Sequence, residues 1–342
     1  MIKLKTKCSR GISGNFYDYY LLKWRIKKKI RLRLNTLPDS LVVELDRDFL
    51  ANNKSLLKIL FSMVETSRLE YYRDSNKFTI YDRAKGNKKQ FEWDVFTLET
   101  VEKAVNFCKT IKEYDKDFFL IGIDGADFLI RKRVSSDIHV IQENFLEEQY
   151  SFIYPFIKDS IVIDIGANIG DTAVLFCKRG AKRVYAYEPH PFFFNLANRN
   201  IELNRLGDKI RMVSYGIGAR EAMLTLKEDS ASGPTGSFGG GRFGENREVK
   251  IKIMPFSKVI ESVDGPIVVK MDCEGSEFDA ILSCPVSALR KIKAMAIEFH
   301  KAPDPIIEYL KRAGFDVEIK YDNPTKYGRI GLLSAVLKEE IF

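Results

Sequence analysis

Gly166-Ala167-Asn168-Ile169-Gly170, preceded by Asp164 and followed at a distance by Glu188, is the stretch of this chain best suited to hold a ligand. Glycines at both ends leave the turn without bulky side chains, so backbone N–H groups can approach a bound molecule. A helix beginning at Asp171 adds the positive end of its dipole. Glu188 comes eighteen residues after Gly170, closing the strand-like Arg183-Val184-Tyr185-Ala186-Tyr187. A carboxylate at such a strand end commonly binds the two hydroxyls of a ribose.

The glycine spacing narrows the ligand. A dinucleotide fingerprint reads G-x-G-x-x-G, whereas this turn reads G-x-x-x-G with Asn168 at the middle glycine's place. A pyrophosphate therefore fits poorly. A ligand with a ribose, a small charged tail and no phosphate, such as S-adenosylmethionine, fits better; other nucleotides and a purely structural turn are the competing readings. The donor-binding set is Asp164, Gly166, Ala167, Asn168, Gly170, Glu188 and Gly216, with Asp164 holding the turn or the ligand's tail.

The elements that must position these residues alternate. Strands are predicted at 161–165, 183–187, 210–215, 267–272 and 294–299, with helices at 171–178, 191–204 and 276–282 between them. This pattern means a mostly parallel sheet with helices on both faces and ligands at the carboxyl ends of the strands. A helix at 304–313 and strands at 315–320 and 330–337 follow, the two strands pairing as an antiparallel edge. The glycine-rich Ser230–Gly244 cannot be regular structure; it is either a flap over an acceptor pocket, with Phe238 or Arg242 touching substrate, or a flexible hairpin loop. Residues 1–135 read as a separate α+β region and 136–342 as the ligand-binding domain. In the first part, helices are expected from Ser55 and from Thr97 to Ile111, with hairpins at 69–81 and around Asp124-Gly125.

Composition excludes several classes. With 342 residues, 45% of them hydrophobic and 30% charged, a sizeable core is available and global disorder is not expected. There is no eighteen-residue apolar run and no signal-peptide pattern, and the five scattered cysteines form no C-x-x-C pair. A reduced, cytoplasmic protein without structural zinc is expected. Much of the net charge of +8 is local, in Lys23, Arg25, Lys27, Lys28, Lys29, Arg31 and Arg33. Interleaved apolar residues make that segment amphipathic. It suits either a solvated edge or a phosphate-rich partner: nucleic acid, an anionic membrane or a lipid-linked phosphate.

Two further motifs complete a resemblance. Val162 to Gly170, Tyr187-Glu188-Pro189 and Val269-Lys270-Met271-Asp272-Cys273-Glu274-Gly275-Ser276-Glu277 together resemble the FkbM family of S-adenosylmethionine-dependent methyltransferases. The resemblance runs from about Asp137 to the C-terminus. It implies a Rossmann-like methyltransferase sheet and methyl transfer to a hydroxyl oxygen of a sugar, glycan or small metabolite. An alcohol is a weak nucleophile, so a general base or a metal is expected beside the methyl group. Lys270, Asp272 and Glu274 alternate along a strand and its exit, and His300 follows the next strand. By resemblance Asp272 takes the acidic position after the strand. His300, with an ordinary pKa near 6.5, or Asp272 is the expected base. Glu274 then orients its partner or the acceptor, and Lys270 pairs with a carboxylate. Asp272, Glu274 and His300 could also hold a divalent cation, but their spacing is no recognised metal signature and no metal is assigned.

Two other functions compete. A nucleic-acid methyltransferase would use the basic segment, but the chain lacks the N/D-P-P-Y/F motif of base amino methylation, so nucleic acid is the disfavoured partner. A non-catalytic nucleoside-binding module is opposed by Asp272, Glu274 and His300. An oligomer is compatible with the sequence.

Overall fold

Ile161–Ile165 and Ile267–Met271 are apolar runs without polar alternation, as a strand covered on both faces requires. Both are central strands in the computed structural model, which describes residues 29–34, 41–46, 69–74, 77–82, 87–91, 108–132, 134–228, 247–325 and 328–338. The described residues fall into two compact units, one within 1–123 and 130–138, the other within 124–129 and 139–342.

In the first unit, Leu69–Asp74 and Lys77–Asp82 pair antiparallel, the hairpin expected from their alternation, and Asn87–Phe91 adds a third strand. Lys29–Leu34 pairs with Leu41–Asp46, so the end of the basic segment is a strand. Thr110–Glu113 is also a strand, paired with Phe118–Ile123. This corrects the helix expected to reach Ile111: β-branched neighbours and a cross-strand partner override the local helical spacing. The earlier part of that helix, the helix from Ser55, residues 23–28 and the glycine-rich loop lie outside the described residues. Asp124 and Gly125 have φ of 44° and 69°, the paired positive values of a tight hairpin turn.

The second unit carries the sheet. Its first half consists of β1 (Ile161–Ile165), α1 (Asp171–Lys178), β2 (Arg183–Tyr187), α2 (Pro191–Leu203) and β3 (Ile210–Val213). Next come β4 (Gly216–Gly218), β5 (Ala222–Glu228), β6 (Arg247–Pro255) and α3 (Phe256–Glu261). The remainder is β7 (Ile267–Met271), α4 (Glu277–Leu282), α5 (Val286–Leu289), β8 (Ile292–Phe299), α6 (Asp304–Arg312), β9 (Phe315–Thr325) and β10 (Gly328–Leu337). Seven strands form one sheet in the order β3-β2-β1-β7-β8-β10-β9. The first five are parallel, and β10 pairs antiparallel with both β8 and β9, which is the Rossmann-like sheet with the antiparallel edge expected above. Strand order reverses between β1 and β7, so the crevice at their carboxyl ends is where a ligand belongs.

A second, three-stranded sheet has the order β4-β6-β5. The strand expected over 210–215 ends at Val213, because the chain leaves the large sheet and pairs Gly216–Gly218 with Ile253–Pro255. The core of the unit is continuous along Ile163, Val269, Met295, Ile297 and Leu333, all fully buried. Among the described residues, no helix is long and apolar enough to cross a membrane.

Candidate active site

The carboxyl ends of β1 and β2 build one side of a cavity of about 300 Å³. Gly166 leaves β1 with φ 75°, and a Cβ there would sit 1.7 Å from the Asp272 carbonyl oxygen, so only glycine lets β1 and the exit of β7 approach this closely. The N–H groups of Gly166 and Ala167 both donate to the Tyr187 carbonyl at 3.0 Å, and Asn200 Nδ2 donates to the Ile169 carbonyl at 2.9 Å. These bonds hold the turn from both sides. Gly170, at φ 82°, packs against Ala197 of α2, and Ala167 is buried. Neither lines the cavity, whereas Gly166, Asn168, Glu188 and Gly216 do.

Glu188 is 6% exposed. Its Oε2 accepts from the Asn168 N–H at 3.0 Å and its Oε1 from the His190 N–H at 2.9 Å. Burial pushes its pKa up to about 7, although both N–H groups and Lys270 pull the other way. His190 is a buried residue at the start of α2, where its Nδ1 accepts from the Phe192 N–H. Asn168 has φ 47°, and its buried Oδ1 has no hydrogen-bond partner among the described residues. Ile165, Tyr187, Phe193, Tyr215, Ile217 and Ile253 supply apolar wall. A carboxylate with open lone pairs, an orphaned amide oxygen and flat apolar walls suit a nucleoside with a polar tail, so these residues fit S-adenosylmethionine.

Asp164 does not face the cavity. It is fully buried, and its Oδ2 accepts from Thr172 Oγ1 at 2.6 Å. Register places Lys270 directly opposite on β7, with Nζ 3.6 Å from Asp164 Oδ1 and donating to the Gly166 carbonyl at 2.8 Å. Burial alone would lower the Lys270 pKa, but Asp164, Asp272 and Asp171 outweigh it and hold the ammonium charged. Burial raises the Asp164 carboxyl, opposed by Lys270 and Thr172. This buried pair braces the strand tips, and Lys270 does not itself line the cavity but donates to Ile165 and Gly166, which do.

A second group of charged side chains gathers at the ends of β7 and β8. Asp272 and Glu274 line the cavity, and the Asp272 N–H donates to the Ile165 carbonyl at 3.1 Å. Glu274 takes φ 55° and Gly275 φ 105°, a left-handed pair that turns the chain into α4. His300 reaches the same place: its Nε2 lies 3.3 Å from Glu274 Oε2 and 3.9 Å from Glu298 Oε1. Its Nδ1 lies 2.5 Å from Oε1 of Glu277, a carboxylate with no exposure. Glu277 Oε2 also accepts from the Gly275 N–H at 2.6 Å. Burial would lower the His300 pKa, but Glu277, Glu274 and Asp272 raise it to about 9. Burial and Asp272 raise that of Glu298.

The structure therefore brings together Asp272, Glu274 and His300, and separates Lys270 and Asp164 into a supporting pair. Two functional carboxylates were not singled out by sequence. Glu277 closes the K-x-D-x-E-G-x-E motif, and Glu298 sits two residues before His300, on the same side of the chain. Either signal could have found them.

Residues 164–317 match the family model described as the methyltransferase FkbM domain. The chain is 33% identical over 87 residues to Methyltransferase 1 of Beauveria bassiana, a match covering 25% of this chain and 34% of that protein. It is 32% identical over 75 residues to a ribosomal protein L11 methyltransferase of Carboxydothermus hydrogenoformans, covering 22% of this chain and 24% of that protein. The chain thus spans about a third or a quarter of these relatives' length. Among solved structures, an rRNA methylase from Streptococcus thermophilus is similar over 56% of this chain and 95% of its own, with 12% identity and a TM-score of 0.37.

Proposed function

We propose that the chain, whose residues 164–317 match the methyltransferase FkbM domain model, moves a methyl group from S-adenosylmethionine to a hydroxyl of a sugar, glycan or small metabolite. The observation that carries the choice of acceptor is the sign of charge where the acceptor must sit. Asp272 and Glu274 line the cavity, with Glu298 behind them at His300. A neutral, hydroxyl-rich molecule can donate hydrogen bonds to these groups, whereas a phosphodiester backbone would be repelled.

When bound, the donor supplies an already electrophilic methyl group, so the protein's task is alignment and removal of one proton. Glu188 holds the ribose hydroxyls, and Asn168 offers its orphaned amide oxygen to the polar tail. The Asp164–Lys270 pair fixes the strand ends that carry these groups. Asp272 and Glu274 receive the acceptor hydroxyl and take its proton. His300 is a poor base here: with a pKa near 9 it already carries a proton at neutral pH. Its role is to orient Glu274.

The same proposal covers the rest of the chain. Residues 1–135 form a separate α+β region, the protein works in the cytoplasm, and the basic stretch at 23–33 touches a phosphate-bearing surface. The test is methyl-labelled S-adenosylmethionine incubated with the full chain and a panel of neutral glycosides, beside total tRNA and rRNA. Label in a glycoside is the expected result. Label confined to RNA overturns the assignment.

A further inference from the structure

We propose that the ends of β7 and β8 form a divalent-cation site, with Asp272, Glu298 and His300 as ligands and Glu277 as the group that orients the imidazole. One ligand atom from each of the three residues lies within 4.8 Å of the others, close enough to share one ion. Glu298 lies near the end of β8, and Asp272 and His300 directly follow the adjacent parallel strands β7 and β8.

The second observation is the imidazole's orientation. Nδ1 is engaged by Glu277, whose carboxylate is fully buried and is itself held by the Gly275 N–H. That contact fixes the proton on Nδ1 and turns Nε2 toward Glu274 and Glu298. A carboxylate behind a histidine, with the far nitrogen presented to other anionic ligands, is the arrangement that metal sites use to set tautomer and ring direction. Nε2 therefore faces Glu298, the second ligand, at 3.9 Å.

Donor chemistry points to a first-row divalent ion. Two carboxylates and one imidazole make a mixed oxygen and nitrogen set, suited to Mn²⁺, Fe²⁺ or Zn²⁺ more than to Ca²⁺. The nearest thiol, Cys273, has its Sγ directed at Glu277 instead, 3.8 Å from Oε2. The neighbouring ammonium of Lys270 contacts Asp164 and two backbone carbonyls and lies 3.8 Å from Asp272 Oδ2. Asp272 also lines the cavity, so an ion held there borders the acceptor space. An alcohol bound next to such an ion loses its proton more readily. With Asp272 on the metal, Glu274 is left to take that proton. This last role rests on the acceptor reading above, whereas metal binding itself does not.

The experiment uses the full chain, stripped with chelator and dialysed, then titrated with Mn²⁺ alone and followed by electron paramagnetic resonance. One Mn²⁺ per chain is expected. Glu298→Gln and His300→Ala should each weaken binding at least about tenfold, and Glu277→Gln by about 10- to 100-fold through loss of orientation. Circular dichroism checks that each variant is folded. No Mn²⁺ binding at millimolar concentration overturns the proposal, as does binding that all three folded variants retain. Calorimetry with S-adenosylhomocysteine on the same stripped samples keeps the two readings apart. Donor product that binds while Mn²⁺ does not sinks this inference alone, and Mn²⁺ that binds while donor product does not sinks the donor site instead.

Discussion

The backbone N–H of Asn168 donates to Glu188 Oε2 at 3.0 Å, which ties the turn after β1 to the tip of β2 through one buried carboxylate. The second oxygen is held by the N–H of His190. Glu188 is thus positioned before any ligand arrives. Replacing it with Gln keeps the shape and removes the charge that ribose hydroxyls would meet. Hydrogen bonds to charged groups contribute about 1.5–3 kcal/mol, so S-adenosylhomocysteine affinity should fall about 10- to 100-fold in Glu188→Gln. Calorimetry measures this, and unchanged affinity would remove the ribose assignment.

The same carboxylate predicts a pH dependence. Its pKa is about 7 in the folded protein against an ordinary 4.5. Between those values the folded state keeps a proton that the unfolded chain has lost. The stability this provides is complete below pH 4.5 and is lost as pH rises through 7. Donor binding runs the other way, because ribose hydroxyls need the ionised acceptor. Affinity for S-adenosylhomocysteine should therefore increase from pH 6 to pH 8, while urea-denaturation stability declines over pH 5 to 7. Both slopes should flatten in Glu188→Gln. A wild-type affinity that falls with pH would contradict the assignment.

The turn and its carboxylate were legible because their geometry is local. Gly166, Gly170 and Glu188 belong to one strand-turn-helix-strand passage, and spacing along the chain carries the relationship. The pairing of Asp164 with Lys270 was not legible. It depends on β1 lying beside β7, and nothing within either strand names its neighbour. Thr110–Glu113 failed for the same reason, since its partner Phe118–Ile123 decided strand over helix. Ser214 and Tyr215 read as the tail of β3, but the chain leaves that strand after Val213 because Gly216–Gly218 pairs with β6 in another sheet.

Glu274 and Asp272 divide the acceptor chemistry, and Glu274→Gln separates chemistry from binding. Glu274 lines the cavity at the exit of β7, whereas Glu188 lies at the tip of β2, so S-adenosylhomocysteine affinity should be unchanged. Methyl transfer to whichever glycoside accepts label should drop by about 10²- to 10⁴-fold, the usual contribution of a positioned base. Single-turnover kinetics reports the chemical step directly. A fully active variant would leave Asp272 alone as the base.

Two glycines at the cavity should respond differently to the same substitution. At Gly166, an added Cβ meets the rigid Asp272 carbonyl at 1.7 Å and a φ of 75°. Gly166→Ala should force the tips of β1 and β7 apart, costing at least about 2 kcal/mol of stability and abolishing donor binding. At Gly216, the nearest atom is Ile253 Cδ1 at 2.7 Å, the end of a side chain that can rotate away. Gly216→Ala should stay folded with a melting temperature near that of the wild type and bind S-adenosylhomocysteine more weakly, because the methyl enters the cavity. Thermal melts beside calorimetry distinguish the pair, and equal behaviour would show that the Gly166 contact relaxes.

Asp164 and Lys270 make the sharpest test of what supports the site. Both side chains are almost completely shielded, at 0% and 3% exposure, and each is the other's main countercharge. Removing one partner leaves a buried charge uncompensated, which costs about 3–5 kcal/mol. Asp164→Ala and Lys270→Met should each lose about that much in urea denaturation. In Lys270→Met the Gly166 carbonyl also loses its Nζ donor, so donor binding should weaken although Lys270 does not itself line the cavity. Asp164→Leu combined with Lys270→Met replaces the ion pair by packed apolar groups and should recover part of the loss. The double variant should therefore be more stable than the sum of the single changes predicts. Strict additivity would mean that the two charges act independently.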